Sequence, residues 1–474
     1  YLWHYYNPPE TINHPDDFWQ PLAGVLAAAG MALFGESVQG ALVPFIVLGA
    51  ALPAAVYFAA RRFGCAKECA LYAAAFAAVL PEYVMNSART DTLIPNALFV
   101  TLAITLLVAG LRGGRWLTFV GSGLFAGLAY LTRGDNLLLI PMLLVTLAVY
   151  GLAARFSAHT FPRQRYVAAL VVLLVAGAVA APWLARNIAE TGTPLTPNLN
   201  RAFFLTDFRD HYAYGRELSW DTLRASQTWR EIIGKRVFEL AASVKLMFTT
   251  LDIVLPVAIS GGLLLLLARR DTDRLLILAP TLILLGGMFV FYGVLSPYGS
   301  QGGSFKKGYL SLAPLLLPVG AYAFEQAIPR LAYRRVAVAL ALGFMAANAV
   351  ELTRADIRFN TTYLREMERV RDAALALPDT NGDGEIILMA QDQFMLRFLG
   401  LRSVMIPMED RATVLEVAQR YGADYVMMPP ARPSLDPLYN GEDTDPRFVR
   451  AAKVTGTQVE LYRFVHDAPE TSQP

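Results

Sequence analysis

Residues 81–111 read PEYVMNSARTDTLIPNALFVTLAITLLVAGL. From 92 to 111 the chain is almost wholly apolar, and 20 such residues in a helix cross the hydrocarbon core of a bilayer. Immediately before this run stand Arg89 and Asp91. A carboxylate at the mouth of a membrane helix is costly unless it is solvated, paired or used. The stretch therefore says two things: the chain crosses a membrane, and its polar chemistry sits at a helix end.

Composition agrees. Of 474 residues, 55% are hydrophobic and 17% are charged, and long apolar runs recur. The fold class expected is a polytopic α-helical membrane protein. A net charge of +2 gives no general attraction to nucleic acid or another polyanion. Cys65 and Cys69 are read as reduced thiols, and the scattered histidines form no metal set. The chain opens Tyr1-Leu2-Trp3, so a further segment, with one more span, is expected upstream.

Residues 1–20 are aromatic, polar and proline-rich, as an interfacial loop is, and 21–34 are too short to span comfortably. Ten candidate spans follow, near 38–60, 69–84, 92–111, 116–132, 135–152, 166–186, 247–268, 274–295, 308–328 and 334–352. Alternate short loops hold 14 Lys and Arg against 4 in the opposite set. The positive-inside bias makes the first set cytoplasmic. The loops 1–37 and 187–246, and everything after 352, are then extracytoplasmic. Segment 187–246 suits a surface helix or a lid. Residues 1–352 read as the membrane domain and 353–474 as a small extracytoplasmic α/β domain. In the latter, apolar runs at 385–390, 403–407, 424–430 and 459–465 alternate with helical patterns at 392–399 and 410–421.

This topology gathers Asp16, Asp17, Arg89, Asp91, Arg133, Arg186, Lys306 and Lys307 at one membrane face. Basic residues on the translocated side run against the positive-inside bias and want a reason. Asp91 can act as a general base, hold a metal, or pair with Arg89 as a cap. Arg133, in GLAYLTRGDN (127–136), suits an anionic lipid headgroup or pairs with Asp135. Lys306 and Lys307 follow freely turning glycines, as phosphate sites do, or simply snorkel. His14, Asp16 and Asp17 stand beside aromatics that could stack on a sugar. DTNGDGE (379–385) resembles the opening of a calcium loop but has Ala390 where the bidentate Glu belongs, so it reads as a polar turn. Gly121, Gly123 and Gly127 lie inside a span and read as helix packing.

The order of these pieces resembles the GT-C membrane glycosyltransferases, nearest the protein O-mannosyltransferase and lipid A aminoarabinose transferase (ArnT-like) group. The matching stretches are HPDDFWQPL…LFGES, ARTDTLIPNALF, GLAYLTRGDNLLLIP, PWLARNIAETGTPLTPN and FKKGYLSLAPLLLP. The resemblance implies transfer of a sugar, hexosyl or pentosyl, from a polyprenyl-phosphate carrier to an acceptor protein, lipid or glycan on the non-cytoplasmic face of the plasma membrane. It implies that Asp91 is a second acidic site residue and that Arg133 faces the carrier phosphate. The main acid lies after a first span, upstream of Tyr1, with Asp16 and Asp17 as stand-ins. Arg89, Lys306, Lys307, Arg186 and His14 complete the expected lipid-phosphate and substrate set. No resident cofactor is assigned; the acidic site also admits a divalent metal. Direct displacement inverts the anomeric carbon. A transporter or flippase of anionic substrates, and a non-catalytic scaffold, are the alternatives.

Overall fold

The computed structural model describes residues 19–156, 163–195, 202–299, 303–382 and 384–465. His14, Asp16 and Asp17 lie outside them. The chain divides into a membrane unit, Trp19–Phe203 with Gln227–Arg354, and a second unit containing Phe204–Ser226 and Ala355–Pro474.

Every stretch expected to span is helical. Among the described residues, six helices are long and apolar enough to cross a membrane, and up to eight spans result if each of two bent pairs counts as one. The first pair, Lys67–Val79 and Pro81–Ser87, turns by 56°. Leu80 is extended because the Pro81 ring disfavours a helical residue before it. The second pair corrects the expected span 247–268. Trp229–Thr250 and Val254–Ala268 meet at 108°. Asp252 (φ 59°) and Ile253 (φ 53°) make that corner in the left-handed region, where a β-branched residue is strained. On Trp229–Thr250, Ile233, Val237, Val244 and Phe248 form an exposed apolar stripe on one face. Such a stripe suits a helix lying in the membrane surface.

Two further stretches fall short of the spanning test for local reasons. Trp116–Thr132 has only 17 residues. Ser304–Ala327 is long enough, but it opens on two lysines and is buried from Gly308 to Ala323, so it is the bundle's central helix and needs little lipid-facing surface. Residues expected to leave the membrane at 354–377 continue the preceding span as one helix, Leu331–Leu375.

The glycines of Trp116–Thr132 act by close packing. A Cβ on Gly123 would stand 2.7 Å from Val172 O, and one on Gly127 would stand 2.6 Å from Val179 Cβ. Their four-residue spacing lets this helix lie directly on Arg163–Thr191.

The second unit is a five-stranded sheet of order β2-β1-β3-β5-β4. Strands β1 (Ile387–Ala390), β2 (Arg402–Met405) and β3 (Tyr425–Met428) are parallel; β5 (Glu460–Phe464) and β4 (Phe448–Lys453) add antiparallel pairings. The α/β pattern expected from the sequence is therefore present, with β4 added at an edge. Phe204–Ser226 packs with this unit. Tyr214 N–H donates to Glu409, and the buried Arg432 guanidinium lies 4.8 Å from the Tyr212 ring while donating to Ile406 O. The Asp379 carboxylate accepts the N–H groups of Asn381, Gly382 and Gly384, which makes the expected polar turn.

Gly127→Val is expected to destabilise the bundle by about 1–3 kcal/mol through overpacking. Gly177→Ala, where a Cβ meets nothing within 4 Å, is expected to be neutral. Thermal melts of the detergent-purified protein read the difference.

Candidate functional site

Three segments place charge at one set of helix ends: the turn before Leu93–Gly113, the turn Gly134–Leu138 after Trp116–Thr132, and the first turn of Ser304–Ala327. Each described cation of this rim whose partners are resolved has a carboxylate. Arg133 donates to Asp135 through both Nε (3.1 Å) and Nη2 (2.7 Å), with side chains only 11% and 5% exposed. Nη2 also reaches the Tyr292 hydroxyl and Ser304 O, while Tyr292 donates to Asp135 Oδ2 at 2.6 Å. Tyr292 lies in a π-helical turn, Val290–Leu295, a wider coil frequently found at functional positions. Gly308 packs closely beside this pair: a Cβ on it would stand 3.3 Å from Met288 Sδ and 3.5 Å, an ordinary contact, from Asp135 Oδ2.

The lysines are paired differently. Lys307 Nζ lies 2.6 Å from Asp91 Oδ2, and Lys306 Nζ lies 2.6 Å from Glu82 Oε1. Their side chains are 34% and 36% exposed. Asp91 Oδ1 accepts Leu93 N–H at 2.8 Å, which caps the following helix. Burial by itself pushes the Asp91 carboxyl up; the charge and hydrogen bond of Lys307, the Leu93 N–H and the charge of Arg133 hold it below the ordinary carboxylate value.

Magnitudes separate the two kinds of pair. Breaking a buried pair by removing one partner costs about 3–5 kcal/mol, whereas solvent-exposed pairs contribute about 0.2–1 kcal/mol; the lysine pairs, with Asp91 24% and Glu82 14% exposed, lie between. Arg133–Asp135 is thus a pin. The lysine pairs can exchange a carboxylate for an incoming anion at lower cost. A polar ladder ties the segments together below. Asn136 Nδ2 donates to Asn96 Oδ1 (2.7 Å), Asn96 Nδ2 to Ser311 Oγ (2.8 Å), and Ser311 Oγ to Lys307 O (2.8 Å).

The structure therefore brings together Asp91, Arg133, Lys306 and Lys307. Arg89 lies in the same turn as Asp91, its N–H donating to Asn86 O. Arg186 donates to Asn187 and covers Trp183, contacts within its own helix. Glu82, Asn96, Asn136, Tyr292 and Ser311 were not singled out from sequence. Each is a lone polar group beside or within an apolar run, which is the available signal. Among the described residues no three His, Cys, Asp or Glu side chains converge as a metal site.

Beside the ladder is an apolar cavity of about 320 Å³. Asn136 and Tyr130 line it near the helix ends, and Leu107, Leu143 and Val172 line it further in. Leu107 is fourteen residues past Leu93, roughly 20 Å along the helix axis.

Residues 13–184 match the family described as dolichyl-phosphate-mannose-protein mannosyltransferase. No match to a curated protein sequence was found. Among solved structures, the chain is similar to ArnT from Cupriavidus metallidurans bound to undecaprenyl phosphate. The TM-score is 0.55 at 14% identity, over 99% of this chain and 92% of that one. It is also similar to the oligosaccharyltransferase AglB from Archaeoglobus fulgidus, in complex with an inhibitory peptide and a dolichol-phosphate. There the TM-score is 0.56 at 14% identity, over 90% of this chain but only 62% of AglB. The fold expected from the order of motifs, that of the GT-C group, is the fold found.

Asp135→Ala, which strands Arg133 as a buried unpaired charge, is expected to destabilise by about 3–5 kcal/mol. Lys306→Ala, whose partner is partly solvated, is expected to cost less than Asp135→Ala. Asp91 gives a pH signature. Its folded value is depressed, so its stabilisation is present above the unfolded value of about 3.9 and is lost as pH falls through the folded value. Melts between pH 7 and pH 3 are expected to show a shallower acid loss in Asp91→Asn than in the parent.

Proposed function

We propose that this chain transfers a sugar from a polyprenyl-phosphate carrier to an acceptor on the extracytoplasmic face of the membrane, with inversion. The observation that carries the reading is the rim itself: two exchangeable lysine–carboxylate pairs stand on a buried Arg133–Asp135 pin, next to an apolar cavity that enters the membrane unit. A carrier of this class is an anionic phosphate on a long hydrocarbon chain. It needs cations at the membrane surface and a dry channel beside them. Each CH₂ buried contributes about 0.8 kcal/mol.

In this reading Lys306 and Lys307 leave Glu82 and Asp91 to hold the carrier phosphate. Arg133, fixed by Asp135, adds its charge from behind and stabilises the phosphate as it departs. Asp91, relieved of Lys307, accepts the proton of the acceptor hydroxyl. The acceptor oxygen bonds to the anomeric carbon as the bond from that carbon to the phosphate oxygen breaks, which inverts the centre. Arg89 and Arg186 add positive charge near the same membrane face. His14, Asp16 and Asp17, which lie outside the described residues, are proposed as further site groups. The carrier class is the one bound in the similar structures, undecaprenyl phosphate in ArnT and dolichol-phosphate in AglB.

Against a transporter, the apolar runs 38–60, 93–111, 116–132, 139–154, 166–185, 275–295 and 336–350 hold no Asp, Glu, Lys or Arg at mid-span, where transporters commonly bind substrate.

The test is transfer from polyprenyl-phosphate-linked sugars in reconstituted vesicles. Asp91→Asn is expected to lower turnover about 10²–10⁴-fold, the usual contribution of a general base. Lys307→Ala is expected chiefly to raise the carrier KM. Full transfer by folded Asp91→Asn, or a product that retains the anomeric configuration, would refute the mechanism.

A further inference from the structure

The corner between Trp229–Thr250 and Val254–Ala268 holds a carboxylate, Asp252, apart from the lysine and arginine pairs. Asp252 and Ile253 both occupy the left-handed region, Asp252 at φ 59°. Two consecutive non-glycine residues are held in a conformation that glycine would adopt freely. Asp252 Oδ1 accepts a hydrogen bond from Asn348 Nδ2 of helix Leu331–Leu375. Its Oδ2 is buried and finds no hydrogen-bond partner among the described residues. The side chain also lies close enough to Glu82 for that negative charge to act on it. Glu82 is the residue that holds Lys306. Asp252 is thus within electrostatic reach of Glu82, with one oxygen fixed and the other unsatisfied.

A buried carboxylate oxygen without a donor is costly, and it is rarely left so. Lys306 is already drawn to Glu82. The groups that would satisfy Oδ2 are hydrogen-bond donors of a ligand held at the same rim. A carrier phosphate has none when ionised, but a sugar has several hydroxyls. We infer that Asp252 is a specificity-determining residue that accepts a hydroxyl of the transferred sugar through Oδ2. Asn348 holds the carboxylate in place through Oδ1. This rests on the donor reading proposed above, and it assigns recognition of the sugar to a different corner from recognition of the phosphate.

The experiment compares binding of two probes to the purified full chain in nanodiscs: undecaprenyl phosphate, and the same lipid carrying mannose, glucose or a pentose. The readout is the affinity gained by adding the best-bound sugar. Asp252→Asn keeps an oxygen for Asn348 but presents an amide donor where Oδ2 stood. It is expected to cut that gain by about ten- to a hundredfold, the range for a hydrogen bond to a charged group, with affinity for the bare carrier unchanged. Asp252→Gly relieves the left-handed backbone and removes the carboxylate. It is expected to melt no lower than the parent and to lose the same gain. Asn348→Ala, which leaves Oδ2 in place, is expected to lower the melting temperature while retaining most of the gain. Three results overturn the inference. One is an unchanged gain in Asp252→Asn and Asp252→Gly. Another is an equal loss for bare and glycosylated carrier, and the third is no gain from any sugar in the parent chain. Failure of the parent to bind either lipid would instead refute the donor reading itself, and the inference with it.

Discussion

The Arg133–Asp135 pair is the interaction on which the polar rim depends. It joins the end of one membrane helix to Tyr292 in the π-helical turn and to the backbone of Ser304, where the central helix begins. Two charges this buried are tolerated because both Asp135 oxygens accept hydrogen bonds, from Arg133 and Tyr292, and Arg133 donates to Ser304 O as well. With that pin in place, the first turn of the central helix is fixed, and Lys306 and Lys307 are set against Glu82 and Asp91. The ladder Asn136–Asn96–Ser311 repeats the tie one layer deeper with neutral groups.

Two energetic scales divide the labour. The pin is expensive to break and so sets geometry. The lysine pairs are partly solvated and weaker, so they are suited to letting go. Beside Arg89, the rim pairs Arg133, Lys306 and Lys307 with Asp135, Glu82 and Asp91, three charges of each sign. An arriving phosphate does not meet bare positive charge. It competes with carboxylates, and the carboxylate it displaces becomes available for proton transfer. Binding and activation are thereby one event in the proposed mechanism.

Much of this was legible in the sequence. Apolar runs gave the membrane helices, and the four-residue spacing of Gly123 and Gly127 gave a packing face. Charges at run ends gave Asp91, Arg133, Lys306 and Lys307. What could not be read was pairing at a distance: Asp91 and Lys307 are 216 residues apart. Both readings of Arg133, headgroup contact and ion pair with Asp135, were open, and the fold makes the second one real. Asn96, Asn136 and Ser311 were hidden because one polar residue barely changes the hydropathy of a span. The corner at 252 was missed for a related reason. The run around Asp252 is apolar enough to read as one continuous helix, and only a lone acid marks the break. Strand β4 escaped because its residues are mostly exposed at a sheet edge, so no alternation shows.

The central claim is that the lysine pairs open to a carrier phosphate while the Arg133–Asp135 pin stays shut. A cryo-electron-microscopy structure of the full chain with undecaprenyl phosphate tests it most directly. The phosphate is expected within hydrogen-bond distance of Lys306 and Lys307, with Asp91 released, the Arg133–Asp135 contact intact, and the hydrocarbon chain entering the cavity beside Asn136. A headgroup bound elsewhere, with Lys307 still on Asp91, would contradict it.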